Sequence, residues 1–103
     1  MKTLITIASV FFTVIFFSSN ENTTELSKSD KEGIQLMREE EKLALDVYQF
    51  LHQQWEIPVF NNISNSETRH FNAIGYLLET FEIQDPAQTG RGKFQNQEIT
   101  ILY

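Results

Sequence analysis

Two long stretches of the chain repeat apolar residues at helical spacing, and a proline lies between them. In the first stretch, these positions are Ile34, Met37, Ala44, Tyr48, Leu51 and Trp55. In the second stretch, they are Phe60, Ile63, Ile74, Leu77 and Phe81. Residues spaced three and four apart lie on one face of an α-helix. The pattern therefore predicts an all-α fold, built as an antiparallel two-helix hairpin.

Local signals set the expected ends of the first helix. Ser27 and Ser29 each precede an acidic residue by three places, which is typical of a capped N-terminus. We expect the helix to begin near one of these serines and to run to about Glu56. Pro58 fits the first turn of a new helix and disfavours helical geometry in the residue before it. The turn is therefore expected at Ile57 and Pro58.

The second helix is expected to fade near Gln84, just before Asp85 and a proline. Residues 87–93 contain two glycines and predict a mobile loop. Asn96 is a candidate cap for a short third helix near residues 96–103. Gly75 is expected to be a point of close helix packing.

The remaining positions of the two helices are assigned by their side of the helix. A second apolar row widens the first helix's apolar face at Leu36, Leu43, Val47 and Phe50. The polar residues expected on its solvent side are Asp30, Lys31, Arg38, Glu39, Lys42, Asp46, Gln49 and Gln53. Tyr48 and Trp55 are expected in the core, and His52 at the surface.

The N-terminal residues have the pattern of an export signal. A basic Lys2 precedes an apolar run from Leu4 to Phe17, and polar residues follow. We expect a signal peptide at residues 1–19, a flexible spacer at 20–29 and the helical domain at 30–103. The run is shorter than the ~18 residues of a membrane span, so an uncleaved anchor is the second choice. The pattern predicts a secreted or periplasmic protein, free of the membrane once the leader is removed.

The length and composition of the chain limit how it can be stabilised. A domain of this size gains only ~3–5 kcal/mol from its core and usually needs a disulfide, a metal or a partner. Disulfides are excluded, because the chain has no cysteine. Its net charge of −6 also makes nucleic acid an unfavourable partner.

Three polar residues interrupt the apolar stripes and form a candidate metal site. Glu41 lies in the first stripe, and Glu67 and His70 lie in the second. A buried carboxylate must be protonated, paired or bound to a cation. Residues three apart on one helix can hold the same ion as a glutamate from the neighbouring helix. Carboxylate oxygen with imidazole nitrogen suits iron, manganese or zinc.

Each of these residues also has a structural interpretation. Ser64 precedes Glu67 by three places, so the pair can form a capping box that starts a shorter helix. The longer helix is preferred, because the apolar stripe continues back to Phe60. His70 can be an ordinary histidine at the core edge. Glu39 is expected in solvent, and Glu40 is either a second carboxylate near the site or the partner of Lys42 or Arg69.

Several short motifs resemble a ferritin-like family of uncharacterised bacterial and archaeal proteins. They are Met37-Arg38-Glu39-Glu40-Glu41-Lys42-Leu43-Ala44 with Asp46-Val47-Tyr48, then Pro58-Val59-Phe60 with Asn62-Ile63, and Ser66-Glu67-Thr68-Arg69-His70. The first is also similar to the first metal-binding helix of rubrerythrins. The resemblance implies half of a four-helix bundle around two metal ions, with Glu41, Glu67 and His70 as half of the ligands.

The resemblance stops where a third long helix would begin. It implies either a fragment of a longer protein or a homodimer in which each copy contributes half of the site. The function expected is iron binding, with iron oxidation or sequestration as the associated activity. The alternatives are a non-enzymatic exported helical module that contacts another protein, and an inactive truncated product.

Overall fold

The computed structural model describes residues 25–103, and the predicted leader and the first part of the spacer lie outside them. The described residues form α1 (Lys28–Trp55), α2 (Pro58–Thr80) and the short α3 (Gln97–Leu102). They contain no strand, so the prediction of an all-α fold with two long packed helices is confirmed. Lys28 and Ser29, which the sequence pattern assigned to the spacer, belong to α1. None of the helices in residues 25–103 is long and apolar enough to span a membrane.

Ser27 caps the start of α1, as one of the two serine alternatives predicted. The backbone N–H of Asp30 donates to the Ser27 hydroxyl at 3.0 Å, and the Ser27 N–H donates to the Asp30 carboxylate at 3.0 Å. This reciprocal capping box satisfies two N–H groups that the helix itself cannot pair. At the other end, Glu56 adopts a left-handed φ of 51° and donates its N–H to His52, which ends α1 before the turn.

Pro58 occupies the first turn of α2, as predicted, but the end predicted near Gln84 is wrong. The helix ends at Thr80, because Glu82 adopts a left-handed φ of 54°. The N–H of Ile83 donates to the carbonyl of Leu78 at 2.8 Å, and the N–H of Glu82 donates to that of Glu79 at 3.2 Å. These two bonds define a Schellman motif, which turns the chain back toward α1.

Ser64 lies inside α2, so the capping-box interpretation of Glu67 is wrong. The helix is continuous from Pro58 to Thr80. The Ser64 hydroxyl donates to the carbonyl of Asn61 at 3.2 Å, and Ser64 is buried. The longer helix places Glu67 in the middle of α2 and not at its first turn.

The two long helices pack antiparallel, since their contacts pair in opposite chain order. Arg38 contacts Phe71, Glu41 contacts His70, and Tyr48 contacts Phe60. The buried apolar residues of this seam are Met37, Ala44, Tyr48, Ile74 and Leu78.

Trp55 was predicted in the core, yet 67% of it is exposed. The reason is the position of the turn. Tyr48 already lies opposite Phe60, and α2 begins only two residues before Phe60. The apolar stripe of α1 thus continues for two turns beyond the part that α2 covers.

Residues 84–103, which we name the strap, fold back along the other side of α1. The side-chain amide of Gln35 donates to the carbonyl of Gln84 at 2.9 Å. Asn96 accepts from the N–H of Glu98 at 2.8 Å, so it caps α3 as predicted. The strap's apolar residues close a small core with α1, which consists of Leu36, Leu43, Val47, Phe94 and Ile99.

Three charged residues predicted on the solvent side of α1 are buried beneath the strap. They are Glu39, Lys42 and Asp46, at 3%, 6% and 7% exposure. The Lys42 ammonium donates to Asp46 at 2.7 Å and to the carbonyls of Gly90 and Lys93 at 2.8 and 3.2 Å. The loop that was predicted to be mobile is therefore anchored to α1.

The carboxylates of this group bind backbone N–H groups of the strap. Asp46 accepts from Gly92 at 3.0 Å, and Glu39 accepts from Gln95 at 2.5 Å and from Asn96 at 3.1 Å. The prediction of solvent exposure failed because the strap returns to α1 from almost fifty residues downstream.

Arg38 joins all three segments near the other end of the hairpin. Its guanidinium lies 3.4 Å from the centre of the Phe71 ring, donates to the Phe71 carbonyl and binds the Asp85 carboxylate at 2.9 Å. A Cβ at Gly75 would lie 2.7 Å from Arg38 Nη1, which confirms the close packing predicted there.

Candidate metal centre

The hairpin brings Glu41, Glu67 and His70 together at its seam. One ligand atom from each residue lies within 4.8 Å of the others. His70 Nδ1 is 3.4 Å from Glu67 Oε2 and 3.6 Å from Glu41 Oε2. Glu67 and His70 are three residues apart on α2, so their side chains leave the helix on one face. The three residues selected from the sequence thus form one cluster.

Both carboxylates of the cluster are buried. Glu41 is 3% exposed and Glu67 is 5% exposed, whereas the His70 side chain keeps 29% of its surface accessible. Glu41 Oε2 and Glu67 Oε2 are inaccessible, and neither accepts a hydrogen bond from any described residue. A buried carboxylate oxygen without a donor is costly, and natural proteins keep few of them. The cluster is therefore short of positive charge or of donors.

The electrostatics of Glu41 reflect this shortage. Burial raises the pKa of Glu41 to about 9, and the neighbouring carboxyl groups of Glu67 and Glu40 act in the same direction. At neutral pH, Glu41 therefore holds a proton unless a cation takes its place. A metal ion that binds here displaces this proton, which makes its affinity dependent on pH.

Glu40 lies beside the cluster and is half-buried. Its Oε2 atom is inaccessible and accepts no hydrogen bond from residues 25–103, and burial raises its pKa to about 7. The pairing considered with Lys42 is wrong, because that ammonium binds Asp46. Glu40 is not among the three residues whose ligand atoms meet, so it adds negative charge next to the cluster.

Tyr48 lies two turns along α1 from Glu41 and was interpreted from the sequence as a core residue only. It is 3% exposed, and its ring centre is 6.3 Å from that of Phe60. Burial raises the pKa of Tyr48, and the charge of Glu67 adds to this effect. The phenol is thus neutral and within the electrostatic range of the cluster. His52, predicted at the surface, is half-buried.

The donor set fits a divalent transition metal. Two carboxylates and one imidazole provide two negative charges and three ligand atoms from helices that the seam already fixes. Such a mixture of oxygen and nitrogen suits iron, manganese and zinc, whereas calcium prefers six to eight oxygens. Three protein ligands leave coordination positions open, as catalytic metal sites do.

The fold and cluster define a class of all-α proteins in which two long packed helices share a buried group of two glutamates and a histidine. Residues 30–103 match the family described as "Uncharacterized protein domain (DUF2202)", and the chain belongs to that family.

The relatives have the same helical fold and greater length. The chain is 46% identical over 79 residues to "Uncharacterized protein MJ0754" of Methanocaldococcus jannaschii, covering 76% of this chain and 43% of the relative. It is also similar to the crystal structure of the hypothetical protein MJ0754 from Methanococcus jannaschii, with a TM-score of 0.74 and 42% identity. That match covers 82% of this chain and 49% of the solved one. The chain thus spans about half the length of the relatives it matches.

Proposed function

We propose that this chain is a metal-binding protein whose Glu41, Glu67 and His70 ligate a divalent transition metal. The observation that carries the proposal is the pair of buried carboxylate oxygens, one on each helix, that accept no hydrogen bond from any described residue. A protein whose only need was stability would place apolar side chains of similar size at these two positions.

A cation satisfies the cluster better than a proton does. A proton on Glu41 neutralises one charge, but the second carboxylate stays buried nearby. A divalent ion is attracted by both carboxylates and also binds the imidazole. Iron is the first choice within the proposal, with manganese and zinc as alternatives. It is favoured by the resemblance of the motifs to the first half of a ferritin-like di-iron centre.

Iron oxidation or sequestration is the activity that this proposal assigns to the open positions of such a site. Three protein ligands leave room for water or for an oxidant beside the ion. The chain spans about half of its relatives' length, so in this proposal it supplies half of a four-helix bundle. The proposal also includes export to the periplasm or the exterior, which the pattern of residues 1–19 supports.

The test is direct binding by the purified chain and by variants of each ligand. Chelator-treated protein is titrated with Fe²⁺ under anaerobic conditions and, in parallel, with Zn²⁺, and bound metal is measured by elemental analysis after desalting. We expect Glu41→Gln, Glu67→Gln and His70→Gln each to weaken binding by at least ~100-fold. Losing a direct ligand costs more than losing a residue that only orients one.

Glu79→Gln is the matched control, since Glu79 is an exposed carboxylate on α2. We expect its metal affinity to equal that of the unaltered chain. Equal metal content in all four variants would overturn the proposal. Circular dichroism of each variant shows that any loss of binding is not a loss of fold.

A competing function is a non-enzymatic module that contacts another protein. Exposed apolar side chains favour it, with Trp55 at 67% and Ile101 at 83% exposure. This alternative expects a fully helical chain that binds no metal and whose helicity does not change on chelation. The titration above therefore separates the two functions.

A further inference from the structure

We propose that metal binding and self-association are coupled in this protein. A second copy of the chain packs on the helix face that carries His70, and the two copies stay together only when cations occupy their Glu41, Glu67 and His70 clusters. This inference rests on the proposed metal binding and adds the partner that completes the site.

The face is defined by one stripe from each long helix. On α2, the spacing of four, seven, seven and four residues places Val59, Ile63, His70, Leu77 and Phe81 in one row. On α1, the corresponding row consists of Glu40, Leu51 and Trp55, with Ala44 buried in the seam beside it. We name these two rows together the open face.

Both rows lie on the same side of the hairpin, away from the strap. Glu41 and Tyr48 face α2, and the row of Glu40 and Leu51 lies next to them around α1. The strap binds Glu39 and Asp46, which lie on a different side of α1. The strap therefore leaves Trp55, Val59 and Phe81 of the open face exposed.

The open face exposes large apolar side chains at both ends and holds the charged cluster near its middle. Trp55 and Val59 are 67% and 51% exposed at the hairpin turn, and Phe81 is 46% exposed at the other end. Large exposed apolar side chains that share one face are typical of a contact surface, and the charged cluster near its middle opposes contact unless its charge is neutralised.

The size of the open face fits a dimer contact. The row from Val59 to Phe81 spans about 33 Å of helix, and two adjacent helices are about 20 Å wide, so the face covers roughly 650 Å² in projection. A stable interface buries about 800 Å² per partner, measured on a corrugated surface that exceeds its projection.

The negative charge near the open face makes contact between two copies depend on bound metal. Each copy carries Glu40 on this face and Glu41 and Glu67 in the seam beside it, and a twofold axis near the cluster would bring six carboxylates close together. Without cations, their repulsion and desolvation oppose contact. With one divalent ion per copy, the same axis places six protein ligands around two ions. Three ligands from one chain leave coordination positions open, and the second copy brings further ligands close to them.

The incomplete ligand set favours a second copy as the occupant. A partner of different sequence would need a ligand set complementary to the cluster. A second copy has it by symmetry.

The experiment measures mass and metal on the same sample. The 103-residue chain is freed of metal with a chelator, and its mass is measured by light scattering before and after addition of Zn²⁺ or anaerobic Fe²⁺. We expect 12.0 kDa without metal and twice that mass with one ion per chain. Bound metal on a chain that stays at 12.0 kDa overturns the coupling but leaves the proposed function intact.

Two further outcomes would also overturn the coupling of metal binding and self-association. If no metal binds, the proposed function fails, and the coupling fails with it. If the dimer forms equally with and without metal, the carboxylates do not oppose contact and the coupling is wrong.

A matched pair of variants locates the interface. Val59→Glu places a charge on the open face, and an acid is compatible with the first turn of a helix. Tyr76→Glu makes the same change at an exposed aromatic residue of α2 outside the open face. We expect Val59→Glu to raise the dimer dissociation constant in Zn²⁺ at least ~10-fold. Tyr76→Glu should leave it unchanged, and equal effects in both variants would overturn the assigned face.

Discussion

The two sides of α1 both bury charged residues, but they treat them differently. Under the strap, Glu39, Lys42 and Asp46 each have partners within 2.5 to 3.2 Å. At the hairpin seam, Glu41 and Glu67 each keep a buried oxygen that accepts no hydrogen bond from any described residue. Glu41 and Lys42 are neighbours in sequence, yet they lie on different sides of the helix and in opposite electrostatic situations.

The difference separates structural burial from functional burial. The charges under the strap bind backbone groups of residues 90–96, so removing one of them leaves the others uncompensated. The charges at the seam have no such role. Replacing these carboxylates with uncharged side chains should raise the stability of the metal-free protein and abolish metal binding. The same type of residue thus stabilises the protein on one side of a helix and destabilises it on the other, in the absence of metal.

The largest effect is expected from Lys42→Met, which removes the only cation that pairs with Asp46 among the described residues. The buried carboxylate then loses its counter-ion, and the carbonyls of Gly90 and Lys93 lose their donor. We expect the free energy of unfolding to fall by ~3–5 kcal/mol. The measurement is urea unfolding followed by circular dichroism.

Lys28→Met is the matched control for Lys42→Met. Lys28 also pairs with an acid four residues on, Glu32, at 3.6 Å, but both side chains are exposed. We expect a change below ~0.5 kcal/mol. If the two variants lose the same stability, the buried network under the strap does not anchor it.

A smaller effect is expected from pH, and it acts through the seam. The pKa of Glu41 is raised from 4.5 to about 9 in the folded chain. Between these values, the folded state holds a proton that the unfolded state has released, so the stability of metal-free protein falls as pH rises. Between pH 6 and 8, the loss is on the order of 2 to 3 kcal/mol.

Glu41→Gln tests this dependence, because glutamine does not titrate. Thermal unfolding of chelator-treated protein at several pH values should show a steep decline for the unaltered chain and a shallower one for the variant. Some slope remains from Glu40, whose pKa is raised to about 7. Parallel curves for the two proteins would contradict the assignment of the cost to Glu41.

The sequence was sufficient for features that local spacing controls. Ser27 with its acid three places on, Pro58 at a first turn and Asn96 before α3 act within one helical turn, and each is found as predicted. The meeting of Glu41 with Glu67 and His70 also follows from spacing. Once two stripes must face each other, the polar residues inside them are brought to the same seam.

Features that depend on distant segments could not be predicted. Glu39, Lys42 and Asp46 have the spacing of any solvated helix face, and nothing near them indicates that the strap returns to cover them. The end of α2 was missed for a different reason. The residue that adopts the left-handed backbone conformation at this end is Glu82. A glutamate in the sequence does not indicate a helix end as a glycine does.

The smallest effect is expected from Glu39→Ala, which decides whether the two sides of α1 are independent. The variant removes the acceptor for the N–H groups of Gln95 and Asn96, at a cost of ~1–2 kcal/mol. Hydrogen exchange of these two amides should accelerate while exchange in α2 stays unchanged. Glu32→Ala, at an exposed position of the same helix, is the control for helix propensity.

The metal affinity of Glu39→Ala is the decisive measurement, because Glu39 and Glu41 are only two residues apart. Loosening the strap removes no ligand and adds no charge at the seam, so we expect an affinity within about twofold of the unaltered chain. A loss as large as that of Glu41→Gln would mean that the strap positions the ligands. The buried charges on both sides of α1 would then belong to one site, since stability under the strap and binding at the seam would change together.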